Sequence, residues 1–254
     1  MSDHVTLSLR APLGGRIDLE SVAPDRFAHS SEAEIARLPM WAGREQRTIG
    51  DYFGVRGERS ASVRIIGDVR LARGIGAGMA AGTIEVLGDA GNDIGVGMSG
   101  GSIHVRGNAG DRVGAGTPGA SRGMTGGEIV IDGSVGNDAG ARMRRGLLFV
   151  GGDAGETTAR ALIAGTVFVR GRVGAEPAPG SKRGTLVVSG DVDIPVTYRY
   201  ACRYHPPHVR LALTYLRRRY GVPVDDRVID GVFDRYCGDA GTVSRGEILR
   251  WVHE

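Results

Sequence analysis

Apolar residues recur at a fixed interval between residues 62 and 190. Seven short runs, with apolar residues at alternate positions, each lead into a glycine: SVRIIG, TIEVLG, SIHVRG, EIVIDG, LLFVGG, TVFVRG and TLVVSG. The closing glycines are 19 residues apart in four of the six steps, and 21 and 26 residues apart in the other two. The longest step contains TPGASR (117–122), which we interpret as a loop inserted into a 19-residue unit. Alternation with a period of two predicts a strand in each run.

The seven units can be aligned so that like side chains fall into columns. The first inward column is Val63, Ile84, Ile103, Ile129, Leu148, Val167 and Leu186. The second is Ile65, Val86, Val105, Ile131, Val150, Val169 and Val188. A third, on the turn side, is Met79, Met98, Met124, Met143 and Leu162. Units in identical phase can bury their apolar faces against one another. The pattern predicts an all-β fold, a right-handed parallel β-helix solenoid of about seven coils of roughly 19 residues.

The residue between the two inward positions points away from the core. Along the units this outward column is Arg64, Glu85, His104, Val130, Phe149, Phe168 and Val187. An exposed column with two phenylalanines would form an apolar patch of a size that soluble proteins usually cover. The cover is either the chain's own C-terminal segment or another subunit. Val130, Phe149, Phe168 and Val187 are therefore candidate interface residues.

Three regions are predicted: an N-terminal capping segment (1–55), the repeats (56–195) and a short helical C-terminal tail (196–254). The first segment is expected to cover the strand edges of the first coil. In the tail, helices are predicted within HPPHVRLALTYLRRRYG (205–221), DDRVIDGVFDRYCG (225–238) and SRGEILRWV (244–252). Ser244 and Glu247 have the spacing of a capping box. Helices this short are expected to pack on the repeats or on a partner.

Composition narrows the classes of function. Glycine accounts for 43 of 254 residues, more than twice the usual share of about 7%. These glycines lead into β-branched strands, whereas a dinucleotide-binding loop leads into a helix, so no such site is predicted. A net charge of +3 is too weak to indicate nucleic-acid binding. The N-terminal MSDHVTLSLRAPLGG lacks the apolar core of a signal peptide, and no apolar run is long enough to span a membrane, which favours a cytoplasmic protein.

No catalytic, cofactor-binding or metal-binding residue is predicted in this chain. The six histidines are scattered, there is no C-x-x-C motif, and no nucleophile elbow is predicted. The acids that follow the closing glycines are interpreted as turn caps; they are Asp68, Asp89, Asp153 and Asp191. In ARMRRG, Arg142, Arg144 and Arg145 replace small residues of earlier units. They form either a solvated face or a contact with an acidic partner or a polyanionic ligand.

The consensus unit, G-D-A-G-x-x-x-G-x-G-M-x-G-G-x-I-x-V-x-G, resembles the GXGXG β-helix domain. That domain is shared by the large subunit of glutamate synthase and the C subunits of formylmethanofuran dehydrogenases. The lead-in IARLPMWAGREQRTIGDYFGVRG (35–57) is similar to the segment that precedes the first coil in those C subunits. The resemblance covers residues 1 to about 195. The tail and the arginine-rich composition are more similar to the bacterial C subunits, which belong to the formyltransferase/hydrolase complexes of methylotrophs.

The resemblance implies a function in one-carbon oxidation. It implies that a D subunit (formyltransferase) moves a formyl group from formyl-tetrahydromethanopterin to a methanofuran-type carrier. An A subunit, a metal-containing amidohydrolase, then releases formate, and the C subunit is a non-catalytic scaffold for the A and B subunits. The carrier and the metal are expected in the partners. An acidic tail on the carrier would be guided by Arg142, Arg144 or Arg145.

Three alternatives stay open. The chain would be a structural domain of a glutamate-synthase-like enzyme, or a subunit of a true molybdenum or tungsten formylmethanofuran dehydrogenase, or a free-standing enzyme that acts on carbohydrates. The lead-in favours the formyltransferase/hydrolase assignment over the glutamate-synthase one. A carbohydrate-active enzyme would need clustered carboxylates and exposed aromatic side chains along one strand face, where the outward column has apolar residues.

Overall fold

The computed structural model describes residues 4–240 and 245–252. The strands within these ranges are β1 (Val5–Leu9), β2 (Ile17–Asp18), β3 (Pro39–Ala42), β4 (Glu45–Thr48), β5 (Phe53–Arg56), β6 (Ser62–Ile66), β7 (Ala72–Arg73), β8 (Thr83–Leu87), β9 (Ser102–Val105), β10 (Glu128–Ile131), β11 (Leu147–Val150), β12 (Thr166–Val169), β13 (Thr185–Val188), β14 (Arg199–Tyr204), β15 (Phe233–Gly238) and β16 (Gly246–Trp251). The helices are α1 (Pro24–Phe27), α2 (Glu32–Ala36), α3 (Ile49–Tyr52), α4 (Pro207–Tyr220) and α5 (Asp226–Ile229).

The strands form a 12-stranded sheet and a 4-stranded sheet. The large sheet has the order β14-β15-β16-β13-β12-β11-β10-β9-β8-β6-β1-β5, and the small one β4-β3-β2-β7. In the part of this order that runs from β16 to β1, each strand is parallel to its neighbours in that part. At its ends, β5 pairs antiparallel with β1, and β15 pairs antiparallel with both β16 and β14. The predicted fold class, a right-handed parallel β-helix solenoid with a helical tail, is therefore wrong, because the sheet is mixed.

The error has a physical origin in the segments outside the repeats. The repeated pattern predicts only β6 and β8 to β13. The strands at both ends of the sheet lie outside that pattern, and their pairing makes the sheet mixed. The segment predicted as a third tail helix is β16, and the second half of the second predicted helix is β15. Ser244, the first residue of the predicted capping box, lies outside the described residues. The first predicted tail helix is confirmed as α4, which ends at Gly221 with a φ of 69°.

The register predicted from the columns is confirmed. Ile103 pairs with Ile84 on one side and with Ile129 on the other, and the same match continues along both inward columns. Residues outside the repeats extend the first column, since Val5 pairs with Val63 and Ile248 with Leu186. The inward side chains are at most 2% exposed and belong to one continuous apolar core.

Polar side chains hold successive units together at the corners. Each accepts a hydrogen bond from a backbone N–H of the next unit: Asp89 Oδ1 from Asn108 (2.8 Å), Asn108 Oδ1 from Ser134 (2.9 Å), Ser134 Oγ from Asp153 (2.9 Å) and Asp153 Oδ1 from Arg172 (2.8 Å). A second series runs from Asn92 through Asp111 and Asn137 to the N–H of Glu156. These chains satisfy backbone donors that the short strands leave unpaired.

The predicted turn caps therefore act in different ways. Asp68 caps its own turn, because its Oδ1 accepts from the Arg70 N–H at 3.1 Å. Asp89 and Asp153 instead cap the unit that follows. Asp191 contributes its backbone oxygen, which accepts from the Val173 N–H at 2.9 Å.

The corner glycines are required mainly by close approach. A Cβ on Gly136 would overlap Asp111 Oδ1 and lie 3.0 Å from the Asp111 backbone nitrogen. A Cβ on Gly133 would likewise overlap Asn108 Oδ1, the acceptor that caps Ser134. Positive φ is the additional reason at Gly67 and Gly88, where φ is 123° and 152°. A side chain at Gly136 would push apart two units that a backbone hydrogen bond from Gly136 to Gly110 joins at 3.1 Å.

We predict that Gly136→Ala lowers the free energy of unfolding by about 1–3 kcal/mol, the usual cost of overpacking a tight site. Urea titration followed by circular dichroism would measure it. Gly15→Ala is the matched control, because a Cβ there meets nothing within 4 Å. Equal midpoints for the two variants would contradict the close-approach argument.

Candidate interaction surfaces

The apolar part of the outward column is covered by the chain itself. Val130, Phe149, Phe168 and Val187 are at most 2% exposed and lie in a second apolar core. The other buried members of that core come from the tail: Val209, Leu213, Leu216, Val222, Val224, Val228, Ile229, Phe233 and Leu249. Of the two covers considered from the sequence, the structure has the intramolecular one. These four candidate interface residues therefore contact the tail and are not available to another protein.

The second core has a regular geometry inherited from the repeats. The rings of Phe149 and Phe168 stack with their centroids 5.3 Å apart and their planes 6° from parallel, because the two residues are register partners. Val187 pairs with Leu249 of β16, which adds one more apolar residue to the outward column. Leu249 could not be assigned to this column from the sequence, because its segment was predicted to be a helix.

One carboxylate fastens the end of α4 to the sheet. Glu128 Oε1 accepts hydrogen bonds from the hydroxyl groups of Tyr215 (3.0 Å) and Tyr220 and from Arg219 Nε (3.2 Å). Glu128 begins β10, whereas its three partners lie 87 to 92 residues later in the chain. We call this group the Glu128 latch. No sequence signal indicated it, since its members occur once and far apart.

A buried histidine lies beneath the latch. His104 is 6% exposed, and its Nε2 is hydrogen bonded to Asp132 Oδ1 at 2.8 Å. Its ring meets the Tyr220 ring edge to face, with centroids 5.1 Å apart. Burial, followed by the hydrogen bond to Glu128, raises the pKa of Tyr220 to about 12. His104 thus marks the place where the outward column changes from a polar to a covered face.

Many arginines are paired between units. Arg112 contacts Asp93 at 2.7 Å, and Arg160 contacts Asp138 at 2.7 Å. The hydrogen bond from Arg160 lowers the pKa of the Asp138 carboxyl, against the opposing effect of burial. Glu85 bridges Arg64 and Arg106 on the uncovered part of the outward column. Exposed ion pairs of this kind contribute little stability individually, so their main effect is to fix side-chain positions.

The second inward column becomes polar beyond the last repeat. Val188 pairs with Arg250, which pairs with Asp234, which pairs with Arg203. Asp234 is only 4% exposed and accepts from Arg203 Nε at 2.8 Å and from Arg250 Nη2 at 3.3 Å. The hydrogen bond from Arg203 lowers the pKa of Asp234. These side chains line an open groove at the end of the sheet, together with Arg172 and Asp191.

The three arginines of ARMRRG do not act as one group. Arg142 has a positive φ of 58° and donates from Nη1 to the Ala120 carbonyl oxygen at 2.8 Å, which ties down the inserted loop. Arg144 and Arg145 lie at the next corner, where both backbone N–H groups point to the Met124 oxygen. Arg145 is exposed and Arg144 is half-buried.

Within residues 4–240 and 245–252, His, Cys, Asp and Glu side chains form no group of three or more that could hold a metal ion. Helices in the same ranges are too short or too polar to cross a membrane.

Comparisons with known proteins connect this chain to one group of enzymes. No protein-family profile matches it. It is 35% identical over 81 residues to the C subunit of the molybdenum-containing formylmethanofuran dehydrogenase 1 of Methanosarcina barkeri, a match that covers 30% of this chain and 27% of that protein. It is 39% identical over 87 residues to the C subunit of the formyltransferase/hydrolase complex of Methylorubrum extorquens, covering 34% and 32%. These aligned stretches span about a third or less of the curated relatives.

A solved structure extends the likeness over the whole chain. A chain in the crystal structure of the formyltransferase/hydrolase complex from Methylorubrum extorquens, in complex with methylofuran, superposes with a TM-score of 0.81. The superposition covers 98% of this chain and 100% of that chain, at 32% sequence identity.

We predict that Phe168→Ala lowers the free energy of unfolding by about 3–5 kcal/mol, because it leaves a cavity between the sheet and the tail. Leu211→Ala is the control: Leu211 is on the outer side of α4 and 72% exposed, so its truncation should change stability by less than about 0.5 kcal/mol. Hydrogen exchange should show α4 amides losing protection in the first variant only. Unchanged protection in Phe168→Ala would contradict the role of this core.

We predict that Tyr220 makes the protein sensitive to alkali. Its pKa is about 12 in the folded state against an ordinary value of 10.0, so above pH 10 the unfolded state releases this proton first. The stability due to Tyr220 is complete below about pH 10 and is lost as pH rises through about 12. Tyr220→Phe should therefore show a shallower decline between these values in urea titrations. If the stabilities of the wild type and of Tyr220→Phe decline in parallel, this role of Tyr220 is excluded. The difference in stability between them at neutral pH gives the effect of the lost hydrogen bond and is subtracted.

Proposed function

This chain belongs to the family of C subunits found in formylmethanofuran dehydrogenases and the formyltransferase/hydrolase complex, and we propose that it is a non-catalytic scaffold subunit of the latter. The complex would transfer a formyl group from formyl-tetrahydromethanopterin to a methanofuran-type carrier and release formate in one-carbon oxidation. The observation that carries the proposal is the superposition over 98% of this chain and 100% of its counterpart in that complex.

The construction of the repeats supports a scaffold. Each corner carboxylate, amide or hydroxyl in the series from Asp89 to Asp153 is engaged by the next unit's backbone. The apolar outward residues are engaged by the tail. Side chains used in this way position neighbouring units and give the stack a fixed shape, which is what a protein that orients other subunits requires.

The proposed partners divide the chemistry among themselves. The D subunit is the formyltransferase, and the A subunit is an amidohydrolase that uses a metal to release formate. The B subunit binds to this chain, which also holds the A subunit in place. The carrier and the metal belong to these partners. A cytoplasmic location is part of the same proposal.

Membership of a molybdenum-containing formylmethanofuran dehydrogenase is the second candidate. The match to the Methanosarcina barkeri protein favours it, but that match covers only 30% of this chain. The likeness to the formyltransferase/hydrolase structure covers nearly all of the chain, including the tail. We therefore place the formyltransferase/hydrolase complex first.

We predict that this chain, tagged and co-expressed with the A, B and D reading frames of its own genome, purifies with all three in fixed proportion. The purified complex should release formate from formyl-tetrahydromethanopterin when the carrier is added, and elemental analysis should find no stoichiometric molybdenum or tungsten. Stoichiometric molybdenum or tungsten together with carrier-dependent oxidation would favour the second candidate. Purification of the tagged chain alone would contradict both.

A further inference from the structure

Basic side chains are aligned along one side of the successive units, at the corner that directly follows the third column (Met79, Met98, Met124, Met143 and Leu162). The backbone places them there: Ile163 N–H donates to the Met143 oxygen (2.8 Å) and Lys182 N–H to the Leu162 oxygen (2.7 Å). Arg144, Ile163 and Lys182 therefore occupy equivalent positions in three successive units. Arg145 and Arg183 follow Arg144 and Lys182 by one residue at the same corner. We call these four cations the basic edge.

The edge continues into the tail. The Arg245 N–H donates to the Lys182 oxygen at 2.6 Å, so Arg245 extends the row by one more unit. Lys182, Arg183 and Arg245 are all exposed. In the preceding units the same corner has Ala80, Ser99 and Thr125, so the positive charge begins at Arg144.

Some arginines near the repeats are neutralised by a carboxylate. Arg112 and Arg160 at other corners, and Arg219 on α4, each contact a carboxylate within 3.2 Å. Within the described residues, the cations of the basic edge and Arg245 have no carboxylate within ion-pair distance. Asp239 approaches this end of the stack, but it is 9% exposed and accepts from the Gly180 N–H at 2.9 Å.

The cations of the basic edge therefore form a linear row of positive charge at one corner. We propose that the basic edge binds an extended acidic segment of a partner protein in the assembled complex, an inference that rests on the proposed function. Parallel strands are about 4.8 Å apart, so Arg144 and Lys182 are separated by about 10 Å. An extended segment rises about 3.3 Å per residue, so acidic residues at every third position match this spacing. Ile163 supplies an apolar contact between them.

A linear row also favours a peptide over a small molecule. Small ligands bind in concave sites that bury most of their surface, whereas these side chains project from an edge. An extended peptide can contact all of the units in turn, and opposite charges across such a contact speed association and set orientation.

The test uses the complex assembled from its own subunits. We compare the wild type with Arg144→Gln/Arg145→Gln/Lys182→Gln/Arg183→Gln and with a control that removes the same charge, Arg10→Gln/Arg16→Gln/Arg44→Gln/Arg56→Gln. The four control arginines are exposed, lie in the first 56 residues and form no ion pair among the described residues. The measurement is the dissociation constant between this chain and the remaining subunits, at low and high salt.

We expect about a tenfold weaker association for the basic-edge variant at low salt, since four exposed pairs of modest strength are lost. Its affinity should also depend less on salt than that of the wild type. The control variant should match the wild type. In a second measurement, Ile163→benzoylphenylalanine should cross-link under light to a partner segment that has acidic residues near every third position.

The unfavourable outcomes are distinct. Unchanged association of the basic-edge variant, or cross-links only to a segment without acidic residues, would overturn the proposal. Unchanged association with an altered salt dependence of turnover would also overturn it, and would assign the edge to an acidic carrier. If the wild-type chain does not assemble at all, the proposed function fails, and this inference fails with it.

Discussion

The constraint on which this structure depends is the short distance between successive units. Parallel strands pair at about 4.8 Å, and the chain keeps to this distance at its corners as well as in its strands. Gly133 and Gly136 have no room for a Cβ there. Side chains such as Asn108 and Asn137 reach only as far as the next unit's N–H. Like residues then lie over like residues, which is why the columns of apolar residues are continuous.

The tail completes this structure from two sides. It contributes Ile248 to the core of the repeats and Leu249 to the second core, because β16 pairs in register with β13. Consecutive residues of one strand therefore join two different cores. Loss of the tail would uncover Phe149 and Phe168 and would also remove three strands, β14, β15 and β16, from the large sheet. The repeats and the tail consequently depend on each other for burial, although their sequences differ in character.

The sequence allowed prediction of the features that recur and concealed those that occur once. Ile103 and Val105 could be assigned to inward columns because the same pattern appears in seven units. The strand EILRW could not, since it has no repeated counterpart and follows a Ser-x-x-Glu spacing that is typical of a helix start. Glu128 carried no signal either, because its partners on α4 are far along the chain. The sequence predicted that Phe168 is covered, either by the chain's own C-terminal segment or by another subunit. Only the packing of α4 decides between the two.

The tail also determines which surfaces remain for assembly. It covers the outward column from Val130 onward, whereas Arg64 and Glu85 of that column lie outside this cover and form ion pairs with each other and with Arg106. Beside this group, Ile66 and Leu87 are register partners and are 41% and 38% exposed. The tail does not cover the corners that follow the third column. Along the successive units, the residues at these corners change from small neutral ones to cations. The scaffold function that we propose would therefore allow partners that recognise different corners to be held at separate positions along the large sheet.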